Sequence, residues 1–133
     1  VLREVAEEHL LELRIALQQM VSDPDKLASV GREALLQQAR NGEVLVIDVR
    51  PREEYDVAHL PFARSMPVAE IERRLSELPR DRQIVAYCRG PFCLLSDEAV
   101  NLLAARGFEV RKIRDGVSEW KAAGFPLAAG PQA

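Results

Sequence analysis

Cys88 and Cys93 are the two cysteines of the chain, and Arg89, Gly90, Pro91 and Phe92 lie between them. Cysteine does chemistry as the thiolate, so the question is what would ionise it. Ile84-Val85-Ala86-Tyr87, just before, is a short apolar run of the kind that forms a buried parallel strand. Leu94, Leu95, Ala99, Val100, Leu102 and Leu103, just after, recur at helical spacing. A strand, a tight loop holding Gly and Pro, and a helix N-terminus together make a cradle of outward-pointing N–H groups. The helix dipole, the unpaired amides and Arg89 all favour a thiolate at Cys88. Cys93 has two readings, a second thiol that resolves what forms on Cys88 or a small, inert cysteine at a helix start. A bridge between the two needs Cα atoms within about 7 Å.

Other residues bear on that loop. Val44 to Val49 is apolar nearly throughout and reads as a central strand covered on both faces. It ends in Asp48-Val49-Arg50-Pro51, and charged groups at strand C-termini in a parallel sheet lie on the ligand-binding edge. Asp48 is open to two readings, a site residue or a loop pin. Arg50 reads as a loop pin, paired with Glu53 or Glu54. His59, in a turn-rich stretch before Pro61, reads as a histidine bonded to loop backbone rather than as a catalytic base. The residues predict no metal site, since no second Cys/His pair stands at ligand spacing.

The remaining elements follow from pattern. Residues 1–21 carry Leu2, Val5, Ala6, His9, Leu10, Leu13, Ala16, Leu17 and Met20 on one helical stripe. Such a stripe predicts an amphipathic helix, read here as a homodimer interface. Ser22-Asp23-Pro24-Asp25 is a turn or linker signal, which puts a domain boundary between residues 1–24 and 25–133. Leu27 to Val30 is a strand candidate and Arg32 to Arg40 a short helix stopped by Asn41-Gly42. Glu53 to Asp56 is one helical turn, Arg64 to Pro67 a short strand, and Ala69 to Leu78 a helix with Ile71, Leu75 and Leu78 inward. The helix after the cysteine loop runs to about Arg106 with Gly107 as its cap. Phe108 to Ile113 alternates as an edge strand, and Asp115-Gly116 leads into a last helix bearing Trp120. Strand–helix alternation at this spacing predicts an α/β fold, a small parallel sheet with helices on both faces.

Composition narrows the function classes. Of 133 residues, 47% are hydrophobic and 29% charged, as in an ordinary globular protein. The net charge of -3 offers no electrostatic reason to hold nucleic acid. No apolar run approaches the roughly 18 residues of a membrane span. Two cysteines are no secreted disulfide framework, so the expected compartment is a reducing cytoplasm. The chain opens at Val1 inside a helical pattern, which reads as a piece of something longer. No Gly-x-Gly-x-x-Gly or Walker pattern supports a nucleotide site, and no organic cofactor is implied.

From about Val30 to Leu127 the chain resembles the rhodanese family of sulfurtransferase domains. Three stretches carry the resemblance: Asp48-Val49-Arg50 with Glu54-Tyr55 and His59-Leu60-Pro61; Tyr87-Cys88-Arg89; and Asp115-Gly116 through Trp120 with Ala123 to Leu127. The resemblance implies a rhodanese-like three-layer fold and a persulfide carried on Cys88, with residues 89–93 forming the active-site loop. The Cys-Arg-Gly-Pro-aromatic-Cys loop behind a helix and linker also resembles a fusion in which an arsenic-repressor-type winged-helix regulator precedes a rhodanese domain. DNA would then be met only through the upstream domain. The chain departs from the family pattern at Ala58, Phe62 and Asp115, where Gly is usual, and at Pro91 and Cys93, where Gly and Arg are usual.

The expected chemistry is sulfur transfer. The Cys88 thiolate attacks a sulfane sulfur and keeps it as a persulfide, which a thiol or cyanide then takes. Backbone N–H groups from Arg89 through Cys93 are expected to converge on the terminal sulfur, and Arg89 to attract an anionic donor or acceptor. The competing class is a redox- or persulfide-sensing module of a transcriptional regulator, using Cys88 and Cys93. A cysteine phosphatase of the related fold needs an arginine where Leu94 stands, and is disfavoured.

Overall fold

The computed structural model describes residues 24–131, with the backbone alone over 24–30. The amphipathic dimerisation helix read over residues 1–21 lies outside the described residues. Helix α1, Pro24–Arg40, is continuous. The strand candidate over Leu27 to Val30 is therefore corrected to helix. Pro24 is its first residue, where a missing N–H costs nothing. The α/β unit begins within this helix, at Leu36.

The unit holds strands β1 (Val44–Asp48), β2 (Arg64–Ser65), β3 (Gln83–Tyr87) and β4 (Val110–Lys112). Helices α2 (Arg52–Val57), α3 (Leu95–Ala105) and α4 (Val117–Ala122) connect and follow them. The strands form one parallel sheet in the order β2-β1-β3-β4. The two apolar runs are thus its central strands, and β4 is an edge, as their patterns predict. Register pairs Val44 with Gln83 and Asp48 with Tyr87, so β1 and β3 end level. Everything at those two strand ends shares one rim of the sheet.

Side chains alternate across the sheet. Leu45, Ile47, Val49, Ile84, Ala86 and Cys88 share one core with Ala99 and Leu103 of α3 and with Met66, Ile71 and Leu78. Gly107, at φ +86°, closes α3 as the cap predicted for it. The segment read as a helix over Ala69 to Leu78 is corrected to two short 3₁₀ stretches, Val68–Glu70 and Glu72–Glu77, with a break at Arg74 (φ -111°). Ile71 and Leu78 are buried, and Leu75 is half-buried against the same core. The three inward positions, spaced four and three apart, are buried by these short turns as a regular helix would bury them.

Phe62 stands at φ +67°, in the left-handed region. A bulky residue there is strained by its Cβ. This is one of the positions where the family pattern has glycine. Ala58, another, is extended (φ -165°), which any residue adopts.

Candidate active site

Cys88 follows β3 directly and is 2% exposed. Its Sγ lies on the α3 face of the sheet, within the core cluster. The S–H is 3.4 Å from the carbonyl oxygen of Cys93 and 3.7 Å from Ser96 Oγ in the first turn of α3. The loop over Cys88 is tight. The Cys93 N–H donates to the Gly90 carbonyl at 3.2 Å and closes a turn. That amide is therefore committed to the loop, a correction to the expected convergence of every N–H from Arg89 to Cys93 on the terminal sulfur. Leu94 is also corrected: it caps α3 from outside and is 70% exposed, so it is not part of the buried helical face.

The loop rests on the start of α4. A Cβ on Gly116 would fall 2.3 Å from the Arg89 carbonyl oxygen and 2.8 Å from that of Cys88. Only glycine lets the two backbones approach so closely. A Cβ on Gly90 would lie 2.8 Å from Glu119 Oε1, so the Glu119 carboxylate faces the loop backbone. Its other oxygen accepts the Gly116 N–H at 3.1 Å, as in a capping box.

Cys93 is half-buried and, with Cys88, is a free thiol. Burial opposes ionisation of Cys93. Hydrogen bonding with Cys88, with the backbone of Arg89 and Leu95, and the charge of Arg89 outweigh it and bring the thiol below its ordinary range. Arg89 is held by Glu54 of α2: Nε to Oε1 at 2.9 Å and Nη2 to Oε2 at 2.8 Å. The hydrogen bond from Arg89, against some burial, keeps the Glu54 carboxyl below the usual carboxylate range. Above the loop is an opening of about 660 Å³, lined by residues 89–95 and Glu119. Phe92 stands at its rim, 96% exposed.

On the opposite face, Tyr87, Asp48 and Arg50 form a closed network. Arg50 grips Asp48 with Nε at 3.0 Å from Oδ1 and Nη2 at 2.7 Å from Oδ2, and Nη2 also donates to the Ala58 carbonyl. The Tyr87 hydroxyl donates to Asp48 Oδ2 at 2.7 Å and accepts the Leu60 N–H at 3.1 Å. Burial above all, then the Asp48 charge, pushes the Tyr87 phenol far above its ordinary value. Asp48 and Arg50 thus pin the loop after β1, and Glu54, read as a partner of Arg50, pairs with Arg89 instead. His59 behaves as a loop histidine. Its Nδ1 is 2.8 Å from the Tyr55 carbonyl, and its ring stacks on Tyr55 at 3.7 Å.

A family model described as the rhodanese-like domain matches residues 32–123. The chain belongs to the rhodanese-like domain family. A sulfurtransferase of Allochromatium vinosum is 33% identical over 102 residues, 75% of this chain and 94% of that protein. An HTH-type transcriptional regulator of Mycobacterium tuberculosis is 42% identical over 126 residues, 95% of this chain. The chain spans only 55% of the regulator's length. Among solved structures, the rhodanese-like domain of an Anabaena protein is 33% identical, with a TM-score of 0.62 over 73% of this chain and 75% of that one.

The rhodanese-like domain brings the predicted loop residues, Arg89 to Cys93, to one opening, with Cys88 buried next to them in the chain. It leaves Asp48 and Arg50 behind the sheet, where they act on loop position. Ser96, Glu54, Gly116 and Glu119 touch or shape the site without having been read as site residues. Gly116-x-x-Glu119 has the spacing of a cap with its N3 carboxylate, a signal visible in sequence. Nothing local marks Ser96 or Glu54, which arrive by helix placement and by a pairing 35 residues long. Among the described residues, no helix is long and apolar enough to cross a membrane.

Proposed function

We propose that this rhodanese-like domain is a sulfurtransferase that carries sulfane sulfur as a persulfide on Cys88. The observation that carries the reading is the placement of Cys88 directly after a central strand, at the start of a tight loop whose next residues line an opening. The Cys88 thiolate attacks the outer sulfur of a donor, and the S–S bond of the donor breaks with its electron pair leaving on the departing group. The Cys88 persulfide then gives its outer sulfur to a small thiol or to cyanide, and the Cys88 thiolate is restored. The loop backbone and the Ser96 hydroxyl supply neutral dipoles around the sulfur, which cost little reorganisation during the transfer. Small sulfur donors and thiol acceptors are the partners, and a cytoplasmic setting suits a pair of free thiols. The test is intact mass after incubation with a panel of thiosulfate and organic persulfides. One added sulfur on the wild type, none on Cys88→Ser, and turnover with cyanide are expected. Uptake by Cys88→Ser, or none by the wild type from any donor, sinks the reading.

The likeness to an HTH-type regulator across nearly the whole chain favours a second, compatible role. Here the domain is the redox- or persulfide-sensing part of a DNA-binding regulator, dimeric through residues 1–21. Cys93 attacks Cys88 Sγ of the persulfide, forms the Cys88–Cys93 disulfide and expels hydrosulfide, so the reduction of one sulfur balances oxidation of the two thiols. Operator binding by the full-length protein should change on treatment with persulfide and stay constant in Cys93→Ser. Equal responses in both remove Cys93 from the mechanism.

A further inference from the structure

The opening at the cysteine loop is short of positive charge. Of the residues that line it, Arg89 and Glu119 are the ionic ones. The Arg89 guanidinium turns Nε and Nη2 to Glu54, a bidentate pair whose two charges offset each other. Glu119 turns its carboxylate toward the loop at Gly90. Glu54, Arg89 and Glu119 together sum to one negative charge. The rest of the lining is apolar: Pro91, Phe92, Leu94 and Leu95, with Phe92 and Leu94 exposed at the rim. Two large apolar side chains standing in water beside a reactive centre mark a contact surface for an apolar body.

We infer that the preferred sulfur donor is an organic persulfide with an uncharged, apolar body, and that a dianion such as thiosulfate is disfavoured at this mouth. The inference rests on the sulfurtransferase reading above and specifies its donor. In the step, the Cys88 thiolate takes the outer sulfur of R–S–SH to give Cys88–S–SH, and R–S⁻ leaves with the electron pair of the broken S–S bond. The R group lies on Phe92 and Leu94, and the leaving thiolate departs past Glu119, where its charge hastens release rather than binding.

The test compares benzyl persulfide with its 4-sulfonated analogue, both prepared in situ. The two share the reacting S–S bond and differ by one remote charge. Rates of Cys88 persulfide formation are normalised to the rates of each donor with N-acetylcysteine. The unsulfonated donor should react about fivefold faster or more. Glu54→Gln, which releases Arg89, and Glu119→Gln should each narrow that ratio by raising the sulfonated donor, and added salt should narrow it too. Phe92→Ser should slow the unsulfonated donor more than the sulfonated one. A wild-type ratio of one or below overturns the inference while leaving sulfur transfer standing, as does a ratio untouched by both Gln variants. Reaction of both donors with N-acetylcysteine but of neither with Cys88 overturns the sulfurtransferase reading itself.

Discussion

Arg50 and Arg89 grip carboxylates in the same two-pronged way, yet on opposite faces of the sheet they do different work. The Arg50–Asp48 pair is buried, with side chains 8% and 0% exposed. It is extended by Tyr87, by the Leu60 N–H and by the Ala58 carbonyl, so that every charge has partners. The Arg89–Glu54 pair is open to water, at 54% and 35%. Ions taken out of water are costly unless fully paired, and then cannot lose a partner cheaply; ions in water exchange partners at little cost. The buried pair is thus a structural pin just behind β3. The exposed pair sets the electrostatic character of the mouth. Tyr87 and Cys88, adjacent in sequence, are the dividing line: one points into the pin and the other into the site.

The sharpest way to break this comparison is to remove each cation. Arg50→Ala should destabilise the domain by about 3–5 kcal/mol, because Asp48 is left charged and buried. Thermal unfolding should show a drop in Tm of more than ~10 °C; a small change would mean that Asp48 finds water or another donor. Gly116→Ala comes next. Its new methyl group collides with the Cys88 and Arg89 carbonyls, so a loss of about 1–3 kcal/mol should accompany a fall in the rate of sulfur uptake. Near-wild-type uptake would show that the loop shifts without cost.

The buried side should also appear in alkali. Tyr87 is held neutral in the fold, its value raised well above the ordinary 10.0. Its contribution is complete below that ordinary value and is lost as pH rises, since the unfolded chain ionises where the folded chain does not. Stability should therefore fall by up to about 1.4 kcal/mol per pH unit above about pH 10, measured by denaturant midpoints. A flat profile there would place the Tyr87 hydroxyl in a wetter setting. The smallest effect belongs to Arg89→Ala, which should leave the neutral-pH Tm unchanged within error. Glu54, held below the usual carboxylate range, contributes above its unfolded value and loses that contribution as pH falls through the folded one. Whatever difference wild type and Arg89→Ala show should accordingly vanish in acid. A large loss at neutral pH would make the two arginines equivalent and end the contrast.

Much of this was legible in the chain. Val44 to Asp48 and Gln83 to Tyr87 are apolar almost throughout because both of their faces are covered, and that pattern marks central parallel strands without further help. The cysteine between such a strand and a helical repeat marks a reactive loop for the same local reason. Asp48 was ambiguous because a carboxylate at a strand end reads alike whether it meets a ligand or an arginine two residues on. Leu27 to Val30 reads as a strand yet forms helix, because so short a mostly apolar stretch suits either period and its neighbours decide. The 3₁₀ segment between β2 and β3 escaped because its buried residues fit a helical stripe equally well.

The places of the four sheet strands along the chain, of the cysteine loop after the third and of the family's signature stretches follow from spacing, and so are legible in the sequence. Which charges pin the fold and which stand at the opening is a matter of three-dimensional placement. Glu54 reaches Arg89 across 35 residues, and Gly116 lies against the Cys88 carbonyl because the sheet brings their loops together. Partners of that kind follow from closing the fold, where burial sets what an ion pair is worth and backbone contact sets where only glycine fits.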